Sequence, residues 1–147
     1  MSVFQSFNIN ASGLTAQRFR TDVISENIAN VNTTRTEDGT PYRRQIVTFK
    51  EKDVTPFSNV LKRTREGALG NGVKVYSLTE DYETDFTMTY DPSHPDADEN
   101  GYVSYPNVNI VTEMTNLIDA SRSYEANATA FDASKSMLTT GLSLGKN

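Results

Sequence analysis

The 147-residue chain contains no cysteine, which excludes disulfides, thiolate zinc sites and thiol nucleophiles. It has no apolar run of transmembrane length. The first eight residues, MSVFQSFN, carry neither a basic flank nor a continuous apolar stretch. No cleavable secretory signal is expected there, so export would need another route. Histidine occurs once, at His94. Apolar bulk is also scarce: Leu, Ile, Val and Phe make up about 22% of the residues, close to the level at which chains stay disordered. Parts of such a chain are expected to order only on association.

Charge is unevenly supplied. The net charge is −5, with the basic excess in residues 1–75 and the acidic excess after them. Opposite fields at the two ends of a chain suit contacts between subunits. The cluster Lys62-Arg63-Thr64-Arg65 is too short, in an acidic chain, to argue for nucleic acid.

What is abundant is helical pattern at both ends. From Ile110 to Leu142, Ile110, Leu117, Tyr124, Phe131 and Leu138 recur every seven residues. Met114, Ser121, Ala128, Lys135 and Leu142 complete the four-three step of a coiled-coil seam. A helix of this length runs roughly 50 Å at about 1.5 Å per residue, too long for a small domain to bury. Residues 3–31 read as a second helix with drifting rows: Phe4, Phe7, Ala11 and Leu14, then Ala16, Phe19 and Val23, then Ile24, Ile28 and Val31. Gly13 implies a bend or a close backbone approach there. Asn30, Asn32, Thr33 and Thr34 mark the stop. Both helices are poor in charge and rich in Ala, Ser, Thr and Asn. Such surfaces suit packing on several sides better than contact with water.

Between the helices, residues 42–49, 73–78 and 85–90 read as strands of a small antiparallel sheet, with 50–70 as an irregular or mobile connection and 91–107 as a loop. Within that loop, Asp96, Asp98, Asn100 and Gly101 match the first half of an EF-hand calcium loop. The second half fails, because Asn107 stands where a bidentate glutamate is needed and Pro106 precedes it. A glycine-closed acidic turn explains the run more simply, and a calcium-controlled module is kept as the alternative. His94 has no orienting partner and nucleophile converging on it in the sequence. No catalytic residue, metal ligand or cofactor is assigned. At the end of the first helix, Asn27 and Asn30 lie near one face, where their amides could cap the helix or bridge to neighbouring backbone.

The segment Ser12-Gly13-Leu14-x-Ala16-Gln17, followed by Asp22-Val23 and Asn27-Ile28-Ala29-Asn30-x-Asn32-Thr33, resembles the opening signature of the bacterial flagellar rod, hook and filament-joining proteins. Thr34-Arg35-Thr36, Gly39 and Pro41-Tyr42-Arg43-Arg44 narrow the resemblance to the proximal rod proteins. So do the loop His94-Pro95-x-Ala97-Asp98-x-x-Gly101-Tyr102-Val103-x-x-Pro106-Asn107-Val108, Glu113-Met114, and Ala120-x-Arg122-x-Tyr124-Glu125-Ala126-Asn127. The resemblance implies a non-enzymatic subunit of the basal-body rod in the periplasmic space. It implies export by the flagellar type III apparatus without a cleaved signal, and helical polymerisation that transmits torque. The implied partners are copies of itself, other proximal rod proteins and the adaptor to the export gate, with no nucleic acid and no direct membrane insertion.

The expected fold is α+β. Long antiparallel terminal helices, residues 1–33 with 108–144, form a coiled-coil-like pair. Residues 36–106 form an outer β-rich region that includes the signature loop. The expected assembly surface comprises Leu14, Phe19, Val23, Asn27, Ile28 and Asn30 with Met114, Leu117, Tyr124, Phe131 and Leu138. The loop residues His94, Pro95, Gly101, Tyr102, Pro106 and Asn107 are expected to serve neighbouring subunits.

Overall fold

The computed structural model describes residues 3–52 and 70–145. Helix α1 spans Val3–Ala29 and helix α2 spans Ile110–Leu144; between them lie β1 (Gln45–Glu51), β2 (Val73–Glu80), β3 (Thr87–Tyr90) and β4 (Tyr102–Tyr105). The fold is α+β: two long helices with small strand pairs between them. Strand β1 pairs with β2, and β3 with β4. Most of the 50–70 connection, residues 53–69, lies outside the described residues, as does the side chain of Phe4.

The helix boundaries follow from capping. Asn109 accepts hydrogen bonds from the N–H groups of Val111 and Thr112 at 3.0 and 3.2 Å, the geometry of an asparagine N-cap. Helix α1 stops at Asn30, whose Nδ2 donates to the Glu26 carbonyl at 3.0 Å while its Oδ1 accepts from the Thr33 hydroxyl at 3.1 Å. Gly141 does not end α2, which continues to Leu144.

The chain forms two compact units, one of residues 1–19, 48–76 and 120–147, the other of residues 20–47 and 77–119. In the first unit, Phe7 meets Phe131 edge-to-face with centroids 4.9 Å apart, and Gly13 faces Asn127. Those pairings set the two helical segments antiparallel. Ala16, Ala120 and Ser134 are buried beside them. These side chains are small, so the backbones approach closely. The inward row of α2 keeps Phe131 and Leu138 from the heptad seam, whereas Tyr124 and Leu142 stay exposed. Ser12 holds the start of β2: its Oγ donates to the Ile9 carbonyl at 2.7 Å and accepts from the Val73 N–H at 3.0 Å.

The second unit buries Val23, Ile24 and Val103. Its hairpin pairs Thr87 with Tyr105, Met88 with Ser104, Thr89 with Val103 and Tyr90 with Tyr102. Strand β4 corrects the expectation of a loop through residue 107. Tyr-Val-Ser-Tyr has strand character, and pairing with β3 stabilises it despite the flanking Pro, Asp and Gly. In place of a single small sheet, the described residues form two separate strand pairs.

Candidate functional site

The most heavily constrained part of the second unit is a polar junction. Asn27 comes from the last turns of α1, Tyr42 and Arg44 from the segment entering β1, Gln45 from β1 itself, Asp81 from the end of β2, Asn107 from the turn after β4, and Glu113 from the first turn of α2. Asn27 is 1% exposed and uses all four positions of its amide. Its Nδ2 donates to the Gln45 carbonyl at 2.9 Å and to Glu113 Oε2 at 3.1 Å. Its Oδ1 accepts from the Tyr42 hydroxyl and the Gln45 N–H, both at 2.9 Å. An amide so saturated has nothing left to offer a neighbouring subunit. Asn27 bridges to neighbouring backbone, that of Gln45, and so ties together parts of its own chain.

Glu113, also 1% exposed, takes two hydrogen bonds from Arg44 on Oε1, from Nε at 2.9 Å and Nη2 at 2.8 Å. A buried carboxylate is tolerable only when paired and hydrogen-bonded, and here both conditions hold. Asn107 closes the other side. Its Oδ1 accepts from the Arg44 N–H at 2.8 Å, and its Nδ2 donates to the carbonyls of Asp81 and Thr84 at 2.9 and 3.1 Å. Asp81 lies 3.6 Å from Arg44 Nη1 and caps the following turn by accepting from the N–H groups of Glu83 and Thr84 at 3.0 and 3.1 Å. Burial pushes the Asp81 carboxyl up, but the Thr84 and Glu83 hydrogen bonds and the Arg44 charge together hold it below the usual carboxylate range. Burial, then the nearby charges of Glu26, Glu113 and Glu80, raise the Tyr42 phenol to about 12. Beside the junction, the Arg43 guanidinium stacks on Tyr82 and Phe86, 4.5 and 4.2 Å from the ring centroids.

The signature loop is a chain of local turns. Asp91 Oδ1 accepts from the Ser93 N–H and hydroxyl at 3.0 and 2.6 Å. Asp98 Oδ1 accepts from the N–H groups of Asn100 and Tyr102 at 2.9 and 2.8 Å. Asp96 Oδ2 accepts from the Thr34 hydroxyl at 2.8 Å, and its Oδ1 lies 3.6 Å from Arg35 Nη1. Two of the three oxygen donors of the half EF-hand are thus engaged by protein groups. No cluster of acidic or histidine side chains suited to a metal ion occurs among the described residues.

The proposed assembly residues divide by exposure. Val23 is buried, Leu14, Ile28, Asn30, Leu117, Phe131 and Leu138 are half-buried, and Phe19, Met114 and Tyr124 are exposed. In the loop, Pro106 and Asn107 are buried, His94 and Gly101 half-buried, and Pro95 and Tyr102 exposed. Sequence reasoning missed the Arg44–Glu113 pair. Its trace was Glu113, a glutamate in α2 with no oppositely charged residue three or four positions away.

Two family models match the chain: "Flagella basal body rod protein" over residues 7–35 and "Flagellar basal body rod FlgEFG protein C-terminal" over residues 99–144. Among similar proteins, the flagellar basal-body rod protein FlgC of Bacillus subtilis is 47% identical, the alignment covering 99% of this chain and 100% of that protein. The FlgC proteins of Borreliella burgdorferi and Salmonella typhimurium are 46% and 39% identical, with at least 98% of each chain covered. The two model matches contain Asn27 at one end and Asn107 and Glu113 at the other. With full-length similarity at these identities, the chain belongs to the FlgC family of flagellar basal-body rod proteins.

Proposed function

We propose that this structural rod subunit polymerises helically in the periplasm with copies of itself and other proximal rod proteins. It adjoins the adaptor at the export gate, reaches its place through the flagellar type III apparatus without a cleaved signal, and transmits torque. Its work is mechanical rather than catalytic. The terminal segments, residues 1–33 and 108–144, supply the helical assembly domain, and residues 36–106 the outer region.

The observation that carries this reading is the apolar row left uncovered on α2. Val111, Met114 and Ile118 share one helical face and are 74%, 55% and 54% exposed. A contiguous apolar face of this kind marks a surface that meets another protein. Burying one such side chain contributes roughly 1.5–3 kcal/mol.

The test is a pair of substitutions, Met114→Glu and Leu117→Asp. Met114→Glu should leave the circular dichroism of the dilute, monomeric chain unchanged while rods fail to form and motility is lost. Leu117→Asp, at a half-buried site, should abolish assembly and also lower stability. Normal rods in cells carrying Met114→Glu would remove this face from the assembly surface.

A further inference from the structure

The loop between β3 and β4 carries the chain's single histidine. His94 Nδ1 accepts a hydrogen bond from the Asp96 N–H at 3.1 Å. Acceptance requires a lone pair at Nδ1, so the imidazole proton resides on Nε2. Asp96 in turn holds the segment that follows α1, through the Thr34 hydroxyl at 2.8 Å and Arg35 at 3.6 Å. Thr34, Arg35, Asp96, Asp98 and Tyr102 are among the residues lining an open groove of about 330 Å³. The state of one imidazole nitrogen is therefore connected, through one backbone N–H, to the wall of that groove.

The surroundings of the ring are simple. Tyr105 on β4 meets it edge-on, with centroids 6.4 Å apart. Among the described residues, Asp91 of its own loop interacts electrostatically with the ring, and Asp96, two residues on, is paired with Arg35. The Ser93 hydroxyl and N–H, with a smaller contribution from His94 itself, hold the Asp91 carboxyl below its ordinary range. Asp91 thus stays anionic while a histidine titrates. With one histidine and no cysteine in the chain, no other side chain ordinarily changes charge between about pH 5 and 8.

We propose that His94 is a proton-operated catch on the groove formed by the signature loop and residues 34–41. When Nδ1 takes a proton from solvent, two N–H donors confront each other across the former hydrogen bond, and that bond is lost. The imidazolium turns towards the Asp91 carboxylate, the Asp96 backbone is released, and the Thr34 and Arg35 contacts shift with it. The groove has one shape in neutral surroundings and another in mildly acidic ones.

The experiment is NMR on the full ¹⁵N-labelled chain, titrated from about pH 8 to about pH 5, the window of histidine chemistry. At the upper end the Nδ1 resonance should be that of an unprotonated, hydrogen-bonded nitrogen. The amide signals of Asp96, Thr34 and Arg35 should then move with the same midpoint as the His94 ring protons. His94→Asn keeps an acceptor for the i+2 N–H but cannot titrate, so in that variant the three amides should stay still. A proton found on Nδ1 at the upper end of the range overturns the proposal without any variant. So does a His94 titration that leaves Asp96 and Thr34 unmoved, or the same amide shifts persisting in His94→Asn.

Discussion

Glu113 places a carboxylate inside the second unit on the first turn of α2, where, among the described residues, Arg44, Asn27 and Asn116 hydrogen-bond to it. Removing one member of a buried ion pair costs about 3–5 kcal/mol, because the partner is left without its counter-charge. Arg44 keeps a quarter of its side chain in solvent, so Glu113→Ala should fall near the lower end, at about 3 kcal/mol. Glu113→Gln, which keeps the shape and one acceptor, should cost less; urea unfolding of both variants checks the order. Tyr42 adds a pH signature. Its phenol is raised to about 12 in the fold, whereas an unfolded tyrosine ionises near 10. The raised value contributes stability that is fully present below the unfolded pKa. Above it the unfolded chain ionises first, so that stability is lost as pH rises from about 10 towards 12. Tyr42→Phe should be less stable than the parent by about 1 kcal/mol at neutral pH, from the lost hydrogen bond to Asn27. That gap should narrow across the alkaline range, and a constant gap would show that Tyr42 is not the group responsible.

At the scale of elements, the first unit depends on how closely its helical segments approach. A Cβ at Gly13 would stand 2.7 Å from Asn127 Oδ1 and 2.9 Å from its Cγ. Alanine is favoured over glycine in a helix by about 1 kcal/mol, yet Gly13→Ala would push Asn127 off its hydrogen bond to the Ser123 carbonyl, now 2.8 Å. The single substitution should therefore gain little or lose stability. Made on an Asn127→Ala background, it should gain about 1 kcal/mol. Equal gains in both backgrounds, read from thermal melts, would remove the close approach as the constraint. Gly72 is governed by backbone instead: with φ at +91° and the Ser12 side chain against it, Gly72→Ala is strained whatever Ser12 does.

The same scale shows what could be read in advance. Both helices and the first three strands were legible, because period and turn residues are local signals. Strand β4 was not, since Tyr102–Tyr105 becomes a strand only through its register with Thr87–Tyr90. Nor was the junction, whose hydrogen bonds join residues 63, 69 and 86 positions apart. Asn27 and Asn30 looked alike in the sequence. The three-residue step between them turns Asn27 inward and leaves Asn30 to end the helix.

For the whole chain, the balance between core and surface decides when it is fully ordered. Among the described residues the buried apolar side chains are Ala16, Val23, Ile24, Val103, Pro106 and Ala120, two of them only methyl groups. Large apolar side chains such as Val111, Met137, Leu142 and Leu144 remain 66–74% exposed. A helix of 35 residues gains most of its stability from packing of one face rather than from propensity. Chains with so little buried bulk order further when association covers the remaining surface. Association also shifts apparent stability with concentration. Helicity measured by circular dichroism should therefore be incomplete in dilute, demonstrably monomeric protein. It should rise over the same concentration range in which sedimentation detects larger species. Met114→Glu should move that rise to higher concentration, because it charges the exposed face of α2 without touching the buried junction. Full helicity in the dilute monomer would mean that the internal contacts suffice, and that association only joins helices already formed.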